Sequence, residues 1–176
     1  VQLPPVAVEP VRLSNLQDRI EAMGELQAAE HARIAAEVPG RITAIPVAEG
    51  TLVAAGTIMV EIDPKRWQLE LASARAQLAE ARAGLQEQER EIARIRTLHE
   101  RKVASDSRRD QADTAFQLAR SRLDAAHAAV GVAVRSLDNS SVTAPFGGIV
   151  ARRLVSRGEF VSAGTPLFEL VALDPI

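Results

Sequence analysis

"VAEGTLVAAGTIMVEI" occupies residues 47–62, and 108 positions later "VSRGEFVSAGTPLFEL" occupies residues 155–170. Val47 aligns with Val155, Gly50 with Gly158, Val53 with Val161, Ala55-Gly56-Thr57 with Ala163-Gly164-Thr165, and Glu61 with Glu169; upstream, Gly40 aligns with Gly148. Gly40, Gly50, Gly56, Gly148, Gly158 and Gly164 therefore read as structural turn glycines, at positions that need positive φ or a close backbone approach. Glycines at matched places fix matched strand lengths, so the sequence repeat is a repeated backbone path.

Around each copy the chain is rich in Val, Ile, Phe and Thr and is punctuated by Gly and Pro every few residues, with short alternations such as Ile34, Ala36, Val38. That is a strand pattern. A unit of roughly 30 residues cannot bury its own apolar face, so the two copies are expected to pack together as a pseudo-symmetric sandwich or flattened barrel. The expected core comprises Ile42, Val47, Val53, Val60, Ile62, Val150, Val155, Val161, Phe168 and Leu170.

What separates the copies has a different character. All nine prolines lie outside residues 65–144, and only Gly84 and Gly131 of the ten glycines lie inside. Such a stretch reads as helix. Leu71, Leu78, Leu85 and Ile92 recur every seven residues, with Trp67, Ala74, Ala81, Gln88 and Ile95 filling the intermediate seam. A second stripe runs through Phe116, Leu123, Val130 and Leu137, accompanied by Ala112, Ala119, Ala126 and Ala133. Both are coiled-coil stripes, and alanine along one row lets the helices approach closely.

One unbroken helix is disfavoured because the first seam, continued, would bury Lys102, Asp106, Arg109 and Asp113 in succession. The break is placed near 102–105, with Ser105 and Asp106 as N-cap candidates. Arms of 65–101 and 106–140 are then nearly equal, each about 50 Å long at about 1.5 Å per residue. Docking the β halves brings Pro64 and Pro145 together, so the insert must travel out and return as an antiparallel hairpin. Glu87 with Arg90 and Glu91 with Arg94 read as solvated-face pairs of small energetic weight.

The domain organisation expected is a leading segment at 1–30, a first β half at 31–64, the helical hairpin at 65–140, a second β half at 141–172 and an exit at 173–176. The fold class is α+β. Residues 11–30 are ambiguous, since Leu16, Ile20 and Met23 also suit a helix.

Composition excludes several functions. With 21 basic and 23 acidic residues the formal net charge is -2, which argues against a global field that recruits nucleic acid or anionic membrane. Cysteine is absent, so disulfides, thiolate zinc sites and thiol nucleophiles are excluded. There is no P-loop, Rossmann fingerprint, G-x-S-x-G or H-E-x-x-H spacing. His31, His99 and His127 are far apart in sequence and read as surface or seam residues; Met23 and Met59 are the only methionines, too few for a thioether metal cluster. No enzyme activity, cofactor or metal is expected. The first ten residues, VQLPPVAVEP, do not read as a signal peptide, and no 18-residue apolar run occurs.

One local charge feature stands out on this acidic chain. Residues 90–109 hold Arg90, Arg94, Arg96, Arg101, Lys102, Arg108 and Arg109 against Glu91, Glu100 and Asp106. The tip is suited to an acidic or carbonyl-rich partner. No aromatic residue lies between Trp67 and Phe116 to stack on bases, so nucleic acid is a poor candidate.

The two matched halves, carried by "EVPGRI", "VAEGTLVAAGTIMVEIDP" and "VTAPFGGIV" with "VSRGEFVSAGTPLFEL", resemble the biotinyl/lipoyl domain. Split by an Ala/Leu-rich hairpin, that domain resembles the periplasmic adaptor, or membrane fusion protein, family of tripartite efflux pumps. The resemblance covers residues 24–175. It implies an adaptor that links an inner-membrane transporter, most readily of the resistance-nodulation-division (RND) type, to an outer-membrane channel of the TolC type. It also implies a periplasmic location attached to the inner membrane, and a homo-oligomeric funnel, expected to be a hexamer, sealed through hairpin tips. A family docking motif, Arg then Leu four residues on and Ser seven after that, maps onto Arg94, Leu98 and Ser105.

The chain departs from the family in length: residues 1–30 read as the approach from a β-barrel domain and "LDPI" as the exit towards it. It departs from a carrier domain at the turn between the halves, where a modified lysine would stand and a hairpin stands instead. Lys65 is the nearest candidate and reads as a solvated helix-start residue. The alternatives kept open are a biotin or lipoate carrier with an inserted coiled coil, and an adaptor of a type I secretion system. His99, in the seam near the tip, is a candidate for pH-sensitive docking.

Overall fold

The computed structural model describes residues 30–172, together with Pro4, Pro5, Ala7, Glu9 and Pro10. The expectations for the leading segment, including Leu16, Ile20 and Met23, and for the exit at 173–176 lie outside the described residues. In chain order the elements are β1 (Glu30–Ala35), β2 (Gly40–Ala44), β3 (Leu52–Val53), β4 (Ile58–Ile62), α1 (Lys65–Glu100), α2 (Asp106–Asp138), β5 (Ser141–Thr143), β6 (Gly148–Arg153), β7 (Phe160–Val161) and β8 (Pro166–Ala172).

The strands form two four-stranded sheets of order β1-β8-β6-β3 and β5-β4-β2-β7. Adding 108 to each strand of the first half gives its counterpart in the second: β1 becomes β5, β2 becomes β6, β3 becomes β7 and β4 becomes β8. This exchange converts the first sheet's order into the second's. Each half thus gives two strands to each sheet, and neither half is a layer by itself.

Backbone hydrogen bonds between the halves come in the same pairs. Gly56 N–H donates to Ala144 at 2.8 Å, and Gly164 N–H to Ala36 at 2.7 Å. Ala144 N–H donates to Thr57, and Ala36 N–H to Thr165, both at 2.9 Å. These bonds join one half to the other, so neither half satisfies all of its backbone by itself.

Between the sheets lies a core whose members are also paired at the same offset. Ile42 and Val150, Val53 and Val161, Val60 and Phe168, and Ile62 and Leu170 are all buried. Met59 and Leu167, a pair not anticipated from sequence, are both fully buried. Each such side chain contributes about 1.5–3 kcal/mol of transfer free energy on burial.

The helices run side by side as a hairpin. At its base Leu71, Ala74 and Ala133 are buried against Val130 and Leu137; at its far end Ile92, Ile95 and Ala112 are buried against Leu98, Ala104 and Phe116. Between those ends Ala119 of α2 is buried, while Leu78, Ala81, Leu85 and Gln88 of α1 are half-buried. Trp67, expected in the helical seam, belongs instead to the β core, where Leu137 of α2 packs on the same cluster. This indole anchors the hairpin root, with the Arg66 guanidinium over its ring at 4.9 Å from the centroid.

Candidate functional site

The distal end of the hairpin is built by two helix caps in succession. The chain leaves α1 through Arg101 and Lys102, the latter at φ 60°, the one non-glycine positive φ among the described residues. Lys102 N–H donates to the His99 carbonyl and Val103 N–H to the Leu98 carbonyl, both at 2.8 Å. These two bonds make a Schellman motif and satisfy carbonyls that the helix end would otherwise orphan. Ser105, in extended conformation at φ -78° and ψ 160°, then opens α2. Its Oγ accepts the Arg108 amide at 3.3 Å, the ordinary N-cap bond.

The three docking candidates sit on this frame in different states. Arg94 is exposed on α1, its side chain 67% accessible. Leu98 stands one turn further on, so the two share a helix face, and it is half-buried against the distal apolar cluster. Ser105 is exposed across the turn, with its hydroxyl proton free of the cap bond. Val103, beside it, is 72% exposed and forms the apolar apex.

A carboxylate ties these parts together. Arg94 donates through Nε and Nη2 to Glu91 Oε2, while Arg108 Nη2 lies 3.8 Å from Glu91 Oε1. Ser105 caps Arg108's amide, Arg108 faces Glu91, and Glu91 holds Arg94. The i,i+3 spacing of Glu91 and Arg94 was visible in the sequence; the contribution of Arg108 from the other helix was not, because it depends on the register of the hairpin.

Two further cross-helix links close the tip. Arg96 donates to Asp113 at 2.8 Å, and His99 Nε2 lies 2.9 Å from Asp106 Oδ1. Arg109 binds Asp110 at 3.0 Å, and this hydrogen bond, reinforced by the charge of Asp110, raises the guanidinium above its usual pKa. Every salt bridge of the hairpin among the described residues falls between Glu91 and Asp113. Arg90, Arg101 and Lys102 form none of them, so the tip retains positive charge facing water.

The six glycines divide into two kinds. Gly50, Gly56, Gly158 and Gly164 hold φ of 76°, 81°, 88° and 85°, in the left-handed region where a Cβ is strained. Gly40 and Gly148 are not turn residues: they open β2 and β6. There a Cβ would collide with the Ile62 side chain in one case and the Val171 carbonyl in the other.

Lys65 is the first residue of α1, exposed, its amide donating to Asp63 Oδ1 at 3.0 Å. Among the described residues no three His, Cys, Asp or Glu side chains converge as a metal site, and no helix is long and apolar enough to cross a membrane.

Residues 30–173 match the family model "RND MFP, barrel-sandwich hybrid domain". The chain is 30% identical over 175 residues to multidrug resistance protein MdtA of Xenorhabdus bovienii (strain SS-2004), covering 98% of this chain and 42% of that protein. It therefore spans about two fifths of that relative's length. Among solved structures, a MacA-MexA chimeric protein containing the Pseudomonas aeruginosa MexA α-hairpin domain is 26% identical with a TM-score of 0.55, over 84% of this chain and 49% of that one. The membrane fusion protein Spr0693 of Streptococcus pneumoniae R6 shares the fold, with a TM-score of 0.62 at 20% identity, over 84% of this chain and 62% of that one. A split β domain, the helical hairpin it projects and the match over residues 30–173 converge on one assignment: the chain belongs to the RND membrane fusion protein family, and carries its barrel-sandwich hybrid domain.

Proposed function

We propose that this chain is the coupling part of a periplasmic adaptor in a tripartite efflux system, holding an RND-type inner-membrane transporter in register with a TolC-type outer-membrane channel. The observation that carries this reading is the tip: an end-capped, cross-braced turn presents Arg94, Leu98, Ser105 and the exposed Val103 about 50 Å from the β domain. Arg94 supplies a fork of donors, Leu98 and Val103 an apolar contact, and Ser105 a hydroxyl. A stiff arm ending in such a surface transmits position and needs no chemistry of its own.

Several copies complete the passage in this reading, expected to be six. A groove of about 640 Å³ along one flank of the hairpin, floored by Ala81, Gly84, Ala115, Ala119 and Ala126 and flanked by the exposed Leu118, supports close lateral packing of neighbouring arms. In this reading the adaptor works in the periplasm, attached to the inner membrane.

The test is Arg94→Asp in the full-length protein, expressed beside its transporter and channel. Drug resistance should fall while the helical circular dichroism of the purified variant stays unchanged. Wild-type resistance in that variant refutes the docking assignment.

A further inference from the structure

We propose that Glu91 is the positioning residue of the docking arginine: it fixes which edge of the Arg94 guanidinium meets the channel. The inference rests on the docking reading of Arg94 and adds a residue that the three-residue motif does not include.

The geometry assigns the role. Arg94 gives its Nε and Nη2 to the single oxygen Oε2 of Glu91. That consumes the side edge of the guanidinium and leaves the terminal edge, formed by Nη1 and the second N–H of Nη2, pointing away from the carboxylate. The terminal edge is a two-donor fork whose natural partner is a carboxylate or a pair of carbonyl oxygens on the channel. The other Glu91 oxygen faces Arg108 of α2, so the carboxylate is itself braced from the second helix. At 28% side-chain exposure it is the least accessible of the three, against 67% for Arg94 and 59% for Arg108. The least exposed member of the set is the holder and the most exposed is the probe.

Two consequences follow for binding. An unbound arginine samples many rotamers, and ordering it on docking weakens association; a side chain ordered beforehand avoids part of that loss. The carboxylate also offsets one of two adjacent positive charges, so the cluster of Glu91, Arg94 and Arg108 carries one net positive charge and favours a shaped acceptor over a merely anionic surface.

The experiment measures the affinity of full-length adaptor for its outer-membrane channel reconstituted in nanodiscs, as a double-mutant cycle on Glu91 and Arg94. Glu91→Ala should weaken binding about two- to fivefold, the scale of an exposed charge pair, and Glu91→Gln, which keeps an acceptor oxygen, should lose less. In an Arg94→Ala background Glu91→Ala should add nothing, and helicity and melting temperature should match wild type throughout. Wild-type or tighter binding by Glu91→Ala overturns the proposal, as does a full additional loss in the Arg94→Ala background. If Arg94→Ala itself binds as wild type, the docking reading fails along with it; if Arg94→Ala loses binding while Glu91→Ala does not, only the role of Glu91 fails.

Discussion

Gly50 and Gly158, 108 positions apart, hold φ of 76° and 88° and donate their amides to Val150 and Ile42, two residues that are themselves 108 positions apart. The turn of each half is thus bonded to the strand of the other, in the same way twice. No atom lies within 4 Å of a Cβ built on either glycine. Substitution therefore meets no clash, and its cost is backbone strain less the reduced freedom of the unfolded chain. Gly50→Val and Gly158→Val should each destabilise the domain by at least about 1–2 kcal/mol, the scale of a left-handed conformation for an L-residue. Urea denaturation of the two variants checks this, and a large asymmetry between them contradicts the equivalence of the halves.

Lys102 occupies the left-handed position of a Schellman motif that glycine ordinarily fills. Lys102→Gly should stabilise the hairpin by about 1 kcal/mol, the relieved strain less the added freedom of the unfolded chain. Thermal melting followed at 222 nm measures it. A lower melting temperature would show that the lysine side chain, exposed here, contributes more than its backbone costs.

Trp67 is 7% exposed and joins the β core at the root of α1. Its loss should cut the hairpin's anchor as well as leave a cavity. Trp67→Ala is expected to cost about 3–5 kcal/mol, as for other large-to-small core changes. Chemical denaturation should show this loss, with hydrogen exchange rising first at the base of α1. Exchange unchanged around residues 65–75 would contradict the anchoring role.

Much of this architecture was legible because the two periods carry it. The glycine spacing of the repeat disclosed the doubled backbone path, and the ten expected core residues are all buried. What stayed hidden depended on geometry between distant segments. Gly40 and Gly148 resembled turn glycines, but of the two constraints expected theirs is close approach, to Ile62 and Val171 on the neighbouring strand, and which neighbour it would be depended on strand pairing. Trp67 kept the heptad beat and was still claimed by the β core, because the first turn of α1 lies over the sandwich. The hairpin tip lacked a glycine, since a lysine holds the left-handed position. Glu91 looked like one half of a surface pair until the register of the hairpin brought Arg108 to its other oxygen.

The central claim, that the far end of this hairpin and not its flank grips an outer-membrane channel, is tested most directly by photo-cross-linking in cells. A photoreactive residue is placed at Val103, the exposed apex, and separately at Leu118, the exposed mid-hairpin position. Position 103 should yield an adduct with the channel, and position 118 should yield none with it. A channel adduct from 118 and not from 103 would contradict the account.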